Sequence, residues 1–366
     1  MSVAPIIANS SIMICAGSGG VGKTTMAAAI GIAAARANRR AVVVTIDPAK
    51  RLADTLGISG QLDNEPHRIE IESGATGELW AMMLDTQATF NEVVRLYSTD
   101  SDQVNRITSN RFFLNISNNL SGTQEYMAAE KLFQLHSDDR FDLVIIDTPP
   151  TRDALNFLDA PGRLMRFLDH RVYRLLLAPT SGGLRIISAA VQPLLRAISG
   201  VVGGKALDDV LGFFRAFEGM DAGFRARASE VAGLLKSPST AYVVITSPSD
   251  EAIEEADYFI MQLVSANLST AALIINRLEP SFADSAESAE LENRDPAFDY
   301  APLRENLKNL NDRAARQMAS VSKLADRVAP APVTFVPLLS HDIASSEALG
   351  VIAEYLVAEQ AQTIIS

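Results

Sequence analysis

The sequence predicts an α/β fold, in which helices cover both faces of a mostly parallel β-sheet and a helical insertion interrupts the alternation. Short runs of apolar and β-branched residues alternate with stretches of helical spacing along the 366 residues. A glycine-rich segment joins the first predicted strand to the first predicted helix. Polar residues or prolines end or follow several strands, so the carboxyl edge of the sheet is the expected ligand site.

The predicted strands are short and rich in Val, Ile and Leu, which is typical of parallel strands that are buried on both faces. They are expected at residues 11–16, 41–46, 68–72, 79–84, 143–147, 241–246, 272–275 and 333–336. The segments between them place apolar residues at helical spacing. Helices are expected at residues 24–37, 48–56, 90–97, 122–136, 253–264, over a long stretch to about 328, and at 343–361.

Residues 153–240 contain no convincing strand and predict several helices, with breaks at Pro161, Pro179–Gly183 and Gly203–Gly204. We therefore expect a single domain over residues 1–366, in which 153–240 forms a helical subdomain. Its apolar side chains would either line a groove for an apolar client helix or pack the protein's own core. They include Leu164, Phe167, Leu168, Leu175, Leu176 and Leu177.

The glycine-rich segment matches G-x-x-x-x-G-K-[ST], the pattern of a phosphate-binding loop. It consists of Gly17, Ser18, Gly19, Gly20, Val21, Gly22, Lys23, Thr24 and Thr25. Glycines let successive backbone N–H groups turn inward around phosphates. Lys23 can then reach the β- and γ-phosphates, and the Thr24 hydroxyl can bind Mg²⁺. The alternative is a glycine-rich turn with a chance lysine, but strand, loop and helix occur in the order that the sheet of a P-loop NTPase requires.

Two aspartates end or follow predicted strands and are candidates for the chemistry. Asp147 ends an apolar strand and is expected to hold Mg²⁺, directly or through water, although a strand-terminal aspartate can also cap a helix. Asp47 is expected to orient the attacking water, since phosphoryl transfer needs positioning more than a strong base. Its alternative role is to cap a helix that starts at Pro48. Asp47 and Lys23 are the predicted catalytic residues.

Composition argues against several other functions. The net charge is −12 and the isoelectric point about 4.9, which disfavours nucleic acid as a partner. The single cysteine, Cys15, allows no internal disulfide and no cysteine-based zinc or arsenite site. The four histidines have no ligand spacing. The chain lacks the basic start of a signal peptide and an apolar run of about 18 residues, so we expect a cytoplasmic protein without a transmembrane segment.

Five segments carry a resemblance to one family. They are GSGGVGKTT (17–25), TIDPAKRLAD (45–54), IIDTPPT (145–151), IINRL (274–278) and VPLLSHDIASSEALG (336–350). In this order and context, the chain resembles the ArsA-type ATPases, which include the arsenite-pump ATPase and the Get-pathway ATPase that targets tail-anchored membrane proteins. The likeness covers nearly the whole chain and is strongest to the single-domain bacterial members.

The resemblance implies a role for each matching position. Asp47 would be the hydrolytic aspartate of switch I, and Asp147 would begin switch II. Asn276 would recognise the adenine edge, with Pro337 and Leu338 flanking the base. The resemblance also implies ATP and Mg²⁺ as cofactors and a nucleotide-gated dimer, either a homodimer or a heterodimer with a related ATPase. The helices of the subdomain defined above would form the surface for an apolar protein client.

The sequence departs from the family at informative positions. Ser18 stands where the family usually has a lysine that reaches the partner subunit's phosphates. The charge is then absent, supplied by Arg152 within the chain, or supplied by a partner that has the lysine. A family glutamate near the nucleotide corresponds to Ser249, with Asp250 and Glu251 directly after it. The metal-binding and arsenite-binding cysteines of relatives are absent, so arsenite export is disfavoured.

Three functions follow from these observations. The first is an Mg²⁺-dependent ATPase whose cycle opens and closes a dimer. The second is an ATP-binding regulatory subunit that hydrolyses poorly and pairs with a lysine-containing homologue. The third is a positioning ATPase of the ParA or MinD kind, against which stand the acidic composition and a C-terminal tail without Lys or Arg.

Overall fold

The computed structural model describes most of the chain. The described residues are 2–46, 51–58, 62–71, 75–111, 113–114, 123–170, 209, 212–282, 299–340 and 346–359, without the side chains of 51, 151–155 and 346. They divide into two compact units. The first consists of Met1–Met83, Asp139–Ala154 and Pro238–Ser366, and the second of Leu84–Asp138 and Leu155–Ser237. We call them the sheet unit and the helical unit.

The strands of the sheet unit confirm the predicted α/β fold. They are β1 (Ile12–Ala16), β2 (Arg40–Thr45), β3 (His67–Ile69), β4 (Glu78–Met83), β5 (Leu143–Asp147), β6 (Thr240–Thr246), β7 (Thr270–Leu278) and β8 (Val333–Pro337). In the described part of the chain they form one sheet in the order β3-β4-β2-β5-β1-β6-β7-β8. Strand β3 runs antiparallel to β4, and the other neighbours are parallel. Strand β1 lies between β5 and β6, so the loop after it opens at the centre of the carboxyl edge.

Helices alternate with these strands and also build the helical unit. They are α1 (Ala4–Asn9), α2 (Lys23–Arg36), α3 (Arg51–Thr55), α4 (Thr86–Tyr97), α5 (Ser101–Thr108), α6 (Thr123–His136), α7 (Thr151–Asp169), α8 (Asp221–Leu235), α9 (Asp250–Ser265), α10 (Ala301–Val328) and α11 (Ser346–Val357). Most predicted elements agree with these bounds to within a few residues. Helices α1 and α5 were not predicted, because they are only six and eight residues long.

Helix α2 is buried almost along its length, which explains its alanine-rich sequence. Small side chains let it pack closely on the sheet and against α11. Gly31 marks the tightest approach, since a Cβ there would come within 2.7 Å of Leu79 Cδ1 and 2.9 Å of Val43 Cγ2. The close packing fixes the first turn of α2, and with it the phosphate loop, relative to the strand ends.

Aromatic side chains dominate the core of the helical unit. The rings of Phe213 and Phe217 lie 4.8 Å apart, and those of Phe217 and Phe224 lie 5.3 Å apart in a stacked arrangement. Phe90 and Phe113 pack into the same core. Aromatic rings bury large areas, so a modest number of them supports a core separate from that of the sheet.

The predicted helix break at Pro161 is wrong, because α7 continues through this residue. A proline removes one backbone N–H donor, but the remaining hydrogen bonds of a long helix persist on both sides of it. Phe157 and Leu168, one on each side of Pro161, are fully buried and hold both halves of α7 in place. The other predicted breaks, at Pro179–Gly183 and Gly203–Gly204, lie outside the described residues.

Candidate nucleotide-binding site

The phosphate loop connects the end of β1 to the start of α2, and its backbone geometry requires glycine. Gly20 and Gly22 have φ angles of +79° and +94°, in the left-handed region that favours glycine. A Cβ on Gly17 would overlap the carbonyl oxygen of Ile245, and a Cβ on Gly22 would overlap the side-chain amide of Asn276. The loop is therefore a cradle that only small residues can form, as binding of phosphates by backbone N–H groups requires.

Lys23 lies across this loop. Its Nζ donates a hydrogen bond of 2.8 Å to the carbonyl oxygen of Ser18, and both residues are buried. The ammonium group is thus held at the loop by a neutral acceptor, which phosphate oxygens can replace. The Ser18 side chain adds no charge at this position.

A carboxylate and two hydroxyl groups meet below the loop. The Thr24 hydroxyl donates to Asp147 Oδ2 at 2.7 Å, and the Thr45 hydroxyl donates to the same oxygen at 3.0 Å. Asp147 is only 1% exposed. Parallel pairing brings these groups together, because Thr45 on β2 lies opposite Asp147 on β5. Hydroxyl and carboxylate oxygens are the ligands that Mg²⁺ prefers.

Within the described residues, no three His, Cys, Asp or Glu side chains cluster as a metal site. A nucleotide-bound Mg²⁺ does not need such a cluster, since it keeps several waters and binds substrate phosphates beside one or two protein oxygens. The donor set of Thr24 and Asp147 therefore fits this ion.

The segment after β5 is tied to the end of β1. The Thr148 hydroxyl donates to the carbonyl oxygen of Cys15 at 2.8 Å, and the Thr148 N–H donates to the same oxygen at 3.3 Å. Burial raises the pKa of the Cys15 thiol far above its ordinary range; nearby Asp147 adds to the shift and Lys23 opposes it. The cysteine is consequently an unreactive part of the core.

A cavity of about 290 Å³ opens at the loop. The loop glycines and the first turn of α2 line one side of it. The other side is lined by Asp54, Thr55, Thr148, Pro150 and Arg277. None of these five was among the predicted site residues. Asp54, Thr148 and Pro150 belong to the motif segments that contain Asp47 and Asp147. Thr55 directly follows the first of these segments and Arg277 directly follows Asn276, so proximity to strand ends was the available signal.

Asn276 and Arg277, at the end of β7, both bind the backbone of the phosphate loop. Asn276 Nδ2 donates to the carbonyl oxygen of Val21 at 2.7 Å, and Arg277 Nη1 donates to that of Gly20 at 2.9 Å. The Asn276 Oδ1 atom accepts the backbone N–H of Arg277 at 2.9 Å. Asn276 is buried, and its amide holds the loop in shape. The resemblance implies that it also reads the base.

The geometry is that of a nucleotide site, and comparison with known proteins agrees. A family model described as "Anion-transporting ATPase" matches residues 10–358. The chain belongs to this ArsA-type ATPase family. Curated relatives include "ATPase GET3" of Malassezia globosa, 23% identical over 94% of this chain and 90% of the relative. "ATPase get3" of Schizosaccharomyces japonicus is 27% identical over 72% of both chains, and "Putative arsenical pump-driving ATPase 1" of Aquifex aeolicus is 22% identical over 95% of this chain and 79% of the relative.

In this ArsA-type ATPase, the segment after β8 lies beside the strand that bears Asn276. Pro337 is opposite Leu278 in the sheet, and the Leu338 N–H donates to the Leu278 carbonyl oxygen at 2.8 Å. The Leu338 side chain is 52% exposed. Pro337 also lines a second cavity, of about 810 Å³, beside α10. The topology therefore brings together the residues that were predicted to surround the base.

Two predicted residues fall outside this description. Asp47 and the side chain of Arg152 lie outside the described part of the structure. Ser249 is exposed at the N-cap position of α9, with Asp250 and Glu251 in the first turn. No helix within the described ranges combines the length and the apolar character that crossing a membrane requires.

The apolar residues predicted to form a client groove divide between core and surface. Leu168 is 2% exposed and Leu164 packs against the core of the helical unit, as the core alternative predicted. Phe167 is 50% exposed. Leu175, Leu176 and Leu177 lie outside the described residues.

Proposed function

We propose that this ArsA-type ATPase binds Mg·ATP at the phosphate loop, hydrolyses it, and uses the cycle to open and close a dimer. The observation that supports this most directly is the contact of Thr24 with Asp147 at 2.7 Å, below a loop that also holds Lys23. These three side chains are the lysine, hydroxyl and carboxylate that phosphoryl transfer in P-loop proteins uses.

The residues of the site divide the tasks of the proposed reaction among them. The loop N–H groups and Lys23 bind the β- and γ-phosphates, and Lys23 exchanges the Ser18 carbonyl for phosphate oxygens. Thr24 and Asp147 would hold Mg²⁺, which when bound neutralises developing charge on the phosphates. Asp47 orients the attacking water and accepts a hydrogen bond from it.

The base would be read at the neighbouring strand end. Asn276 offers an amide donor and acceptor to the adenine edge, and Pro337 and Leu338 provide apolar surfaces on which a base can lie. Because one N–H and one lone pair of the Asn276 amide already bind protein backbone, one donor and one acceptor remain. Asn276→Ala should consequently weaken binding of all nucleotides, in addition to reducing discrimination between ATP and GTP.

The dimer would handle a protein client or partner through residues 153–240. The half-exposed Phe167 of α7 is the described side chain that supports an apolar surface there. The partner subunit is a second copy or a related ATPase. The cytoplasmic location inferred from the sequence remains a prediction.

One alternative has a specific observation in its favour. The neutral Ser18 side chain is buried and provides no charge to a neighbouring subunit. A regulatory subunit that binds ATP, hydrolyses it poorly and pairs with a lysine-containing homologue would have this feature. The ParA-like and MinD-like alternatives gain no such support.

Single-turnover hydrolysis with the purified chain separates the two readings. The ATPase proposal expects product formation that Asp47→Asn reduces by about 10²-fold or more while the Kd for Mg·ATP stays close to that of the wild type. Sedimentation with Mg·ATP and with Mg·ADP should show a nucleotide-dependent dimer. Wild-type turnover in Asp47→Asn would remove that residue from the mechanism. Tight ATP binding without hydrolysis, restored by a lysine-containing homologue, would support the regulatory subunit instead.

A further inference from the structure

Two successive residues of β7 reach the same loop, which a regular strand does not allow. Neighbouring side chains in a β-strand point to opposite faces of the sheet. Here Asn276 binds the carbonyl oxygen of Val21, and Arg277 binds that of Gly20. Both side chains therefore lie on the side of the phosphate loop.

The backbone at Arg277 explains this arrangement. Its φ angle is +61°, in the left-handed region that arginine rarely occupies. The register between β7 and β8 shifts between Ile275 and Leu278, on either side of this residue. The contact of the Arg277 N–H with Asn276 Oδ1 holds the conformation. Strained conformations persist where the surrounding structure holds them, and they cluster at ligand sites.

The charge of Arg277 has no acidic partner in the described part of the chain. Two exposed arginines of the same unit do have one: Arg313 Nε lies 3.0 Å from Glu279, and Arg327 Nε lies 2.8 Å from Asp257. Among the described residues that line the phosphate cavity, Lys23 and Arg277 are the cationic side chains. The Arg277 guanidinium lies at the rim of the phosphate cavity and donates to a neutral carbonyl oxygen. It can exchange this acceptor for a phosphate oxygen, which is a stronger acceptor.

We propose that Arg277 is a phosphate-binding residue that contacts the β- and γ-phosphates of the nucleotide from within the same chain. This proposal rests on the Mg·ATP site proposed above. On binding, the guanidinium leaves the Gly20 carbonyl oxygen and donates to phosphate oxygens. Its planar set of donors matches a phosphate group in two-point contacts, and such charged hydrogen bonds are stronger than a bond to a neutral carbonyl. Arg277 therefore adds a positive charge from a strand end to the charge that Lys23 provides at the loop.

Calorimetric titration of the full chain with Mg·ATP and Mg·ADP tests the proposal. Arg277→Gln keeps a neutral donor for Gly20 but removes the charge, so we expect the Kd for Mg·ATP to rise about tenfold to a hundredfold. Arg277→Lys keeps the charge but loses the planar two-point contact, so its Kd should lie between those of the wild type and Arg277→Gln. The matched control is Arg316→Gln, which removes the same charge from an exposed position on α10 and should bind as the wild type does. The thermal midpoint without nucleotide should be the same for all four proteins.

Two results would overturn the proposal. One is an Arg277→Gln protein that binds Mg·ATP within about twofold of the wild type. The other is a loss that glutamine and lysine share equally, with a lowered midpoint in the absence of nucleotide, since that pattern means that Arg277 only fastens the loop. Lys23→Ala identifies a failure of the underlying site: if the wild type binds no better than Lys23→Ala, the nucleotide site and the role of Arg277 both fall. If the wild type binds Mg·ATP better than Lys23→Ala does, and the Arg277 variants bind as the wild type does, only the role of Arg277 is refuted.

Discussion

Asp147 of the sheet unit and Glu130 of the helical unit are both carboxylates removed from water, with exposures of 1% and 0%. Their neighbours differ in kind. Asp147 accepts hydrogen bonds from the neutral hydroxyls of Thr24 and Thr45. Glu130 lies beside a cation of its own unit, with its Oε1 atom 3.3 Å from Arg227 Nε. Asp147 and the two hydroxyls are oxygen donors of the kind that Mg²⁺ binds, whereas the arginine beside Glu130 makes that carboxylate part of the packing of its unit.

The surroundings of Glu130 support a structural role. Arg227 lies over the ring of Phe133, with 4.1 Å from Cζ to the centroid, and donates to Tyr97 Oη at 3.1 Å. Its Nη1 also lies 3.3 Å from Glu230 Oε2. Burial raises the pKa of Glu130, and this effect exceeds the opposing attraction of Arg227. These contacts join α4, α6 and α8 within one unit.

The largest expected effect concerns the sheet unit. Lys23→Ala should weaken Mg·ATP binding by about a thousandfold or more, roughly 4 kcal/mol, because it removes a charged partner of two phosphates. Thr24→Ala should weaken it in a magnesium-dependent manner, because the hydroxyl is a metal ligand. Equilibrium titration with and without a chelator measures both.

The helical unit provides the control for that experiment. Glu130→Gln changes a carboxylate that is buried as deeply as Asp147, yet it should leave the Kd for Mg·ATP within about twofold of the wild type. If Glu130→Gln weakened Mg·ATP binding as much as Thr24→Ala does, Glu130 could not be assigned to packing alone. Equal Kd values for Thr24→Ala and wild type in Mg²⁺ would remove Thr24 from the metal site.

The same comparison shows what the sequence can predict. Asp147 was predicted as a site residue because it ends an apolar strand in a chain with a phosphate loop. Such a residue lies at the carboxyl edge of the sheet, where the phosphate loop also lies. Glu130 could not be predicted, since helical spacing alone does not reveal that Arg227, about a hundred residues later, shares its environment. Arg277 escaped prediction because strand alternation assigns it to the face opposite Asn276. The exception depends on a single backbone angle that sequence patterns do not encode.

The second effect concerns the helical unit alone. Arg227→Met keeps an unbranched side chain against Phe133 but leaves the Glu130 carboxylate without its cation. We expect a loss of about 3 kcal/mol in the free energy of unfolding of this unit above the raised pKa of Glu130. Urea unfolding, with amide exchange in α6 and α8 to report on the helical unit, measures it.

The matched control for Arg227 lies on the same helix. Arg225→Met breaks a surface pair with Asp169, 2.8 Å apart, and should cost no more than about 1 kcal/mol. The double variant Glu130→Gln/Arg227→Met should recover most of the loss, because it leaves no carboxylate at position 130 without a cation. Equal costs for Arg225→Met and Arg227→Met would mean that the buried pair contributes no more than a surface pair.

The smallest effect is a pH dependence that belongs to Glu130. Its folded-state pKa is raised above the ordinary 4.5, so the folded chain binds this proton more tightly than the unfolded chain. Wild-type stability attributable to Glu130 is therefore highest below pH 4.5, falls as the pH rises through the raised pKa, and is level above it. Glu130→Gln cannot titrate and should lack this decline, while Arg227, Lys131 and Glu230 contribute to both proteins. Between about pH 5 and pH 8, the unfolding free energy of the wild type should thus fall relative to that of Glu130→Gln. If the unfolding free energies of the two proteins change with pH in parallel, burial does not shift the pKa of Glu130. If the unfolding free energy of the wild type rises relative to that of Glu130→Gln, the attraction of Arg227 exceeds the effect of burial.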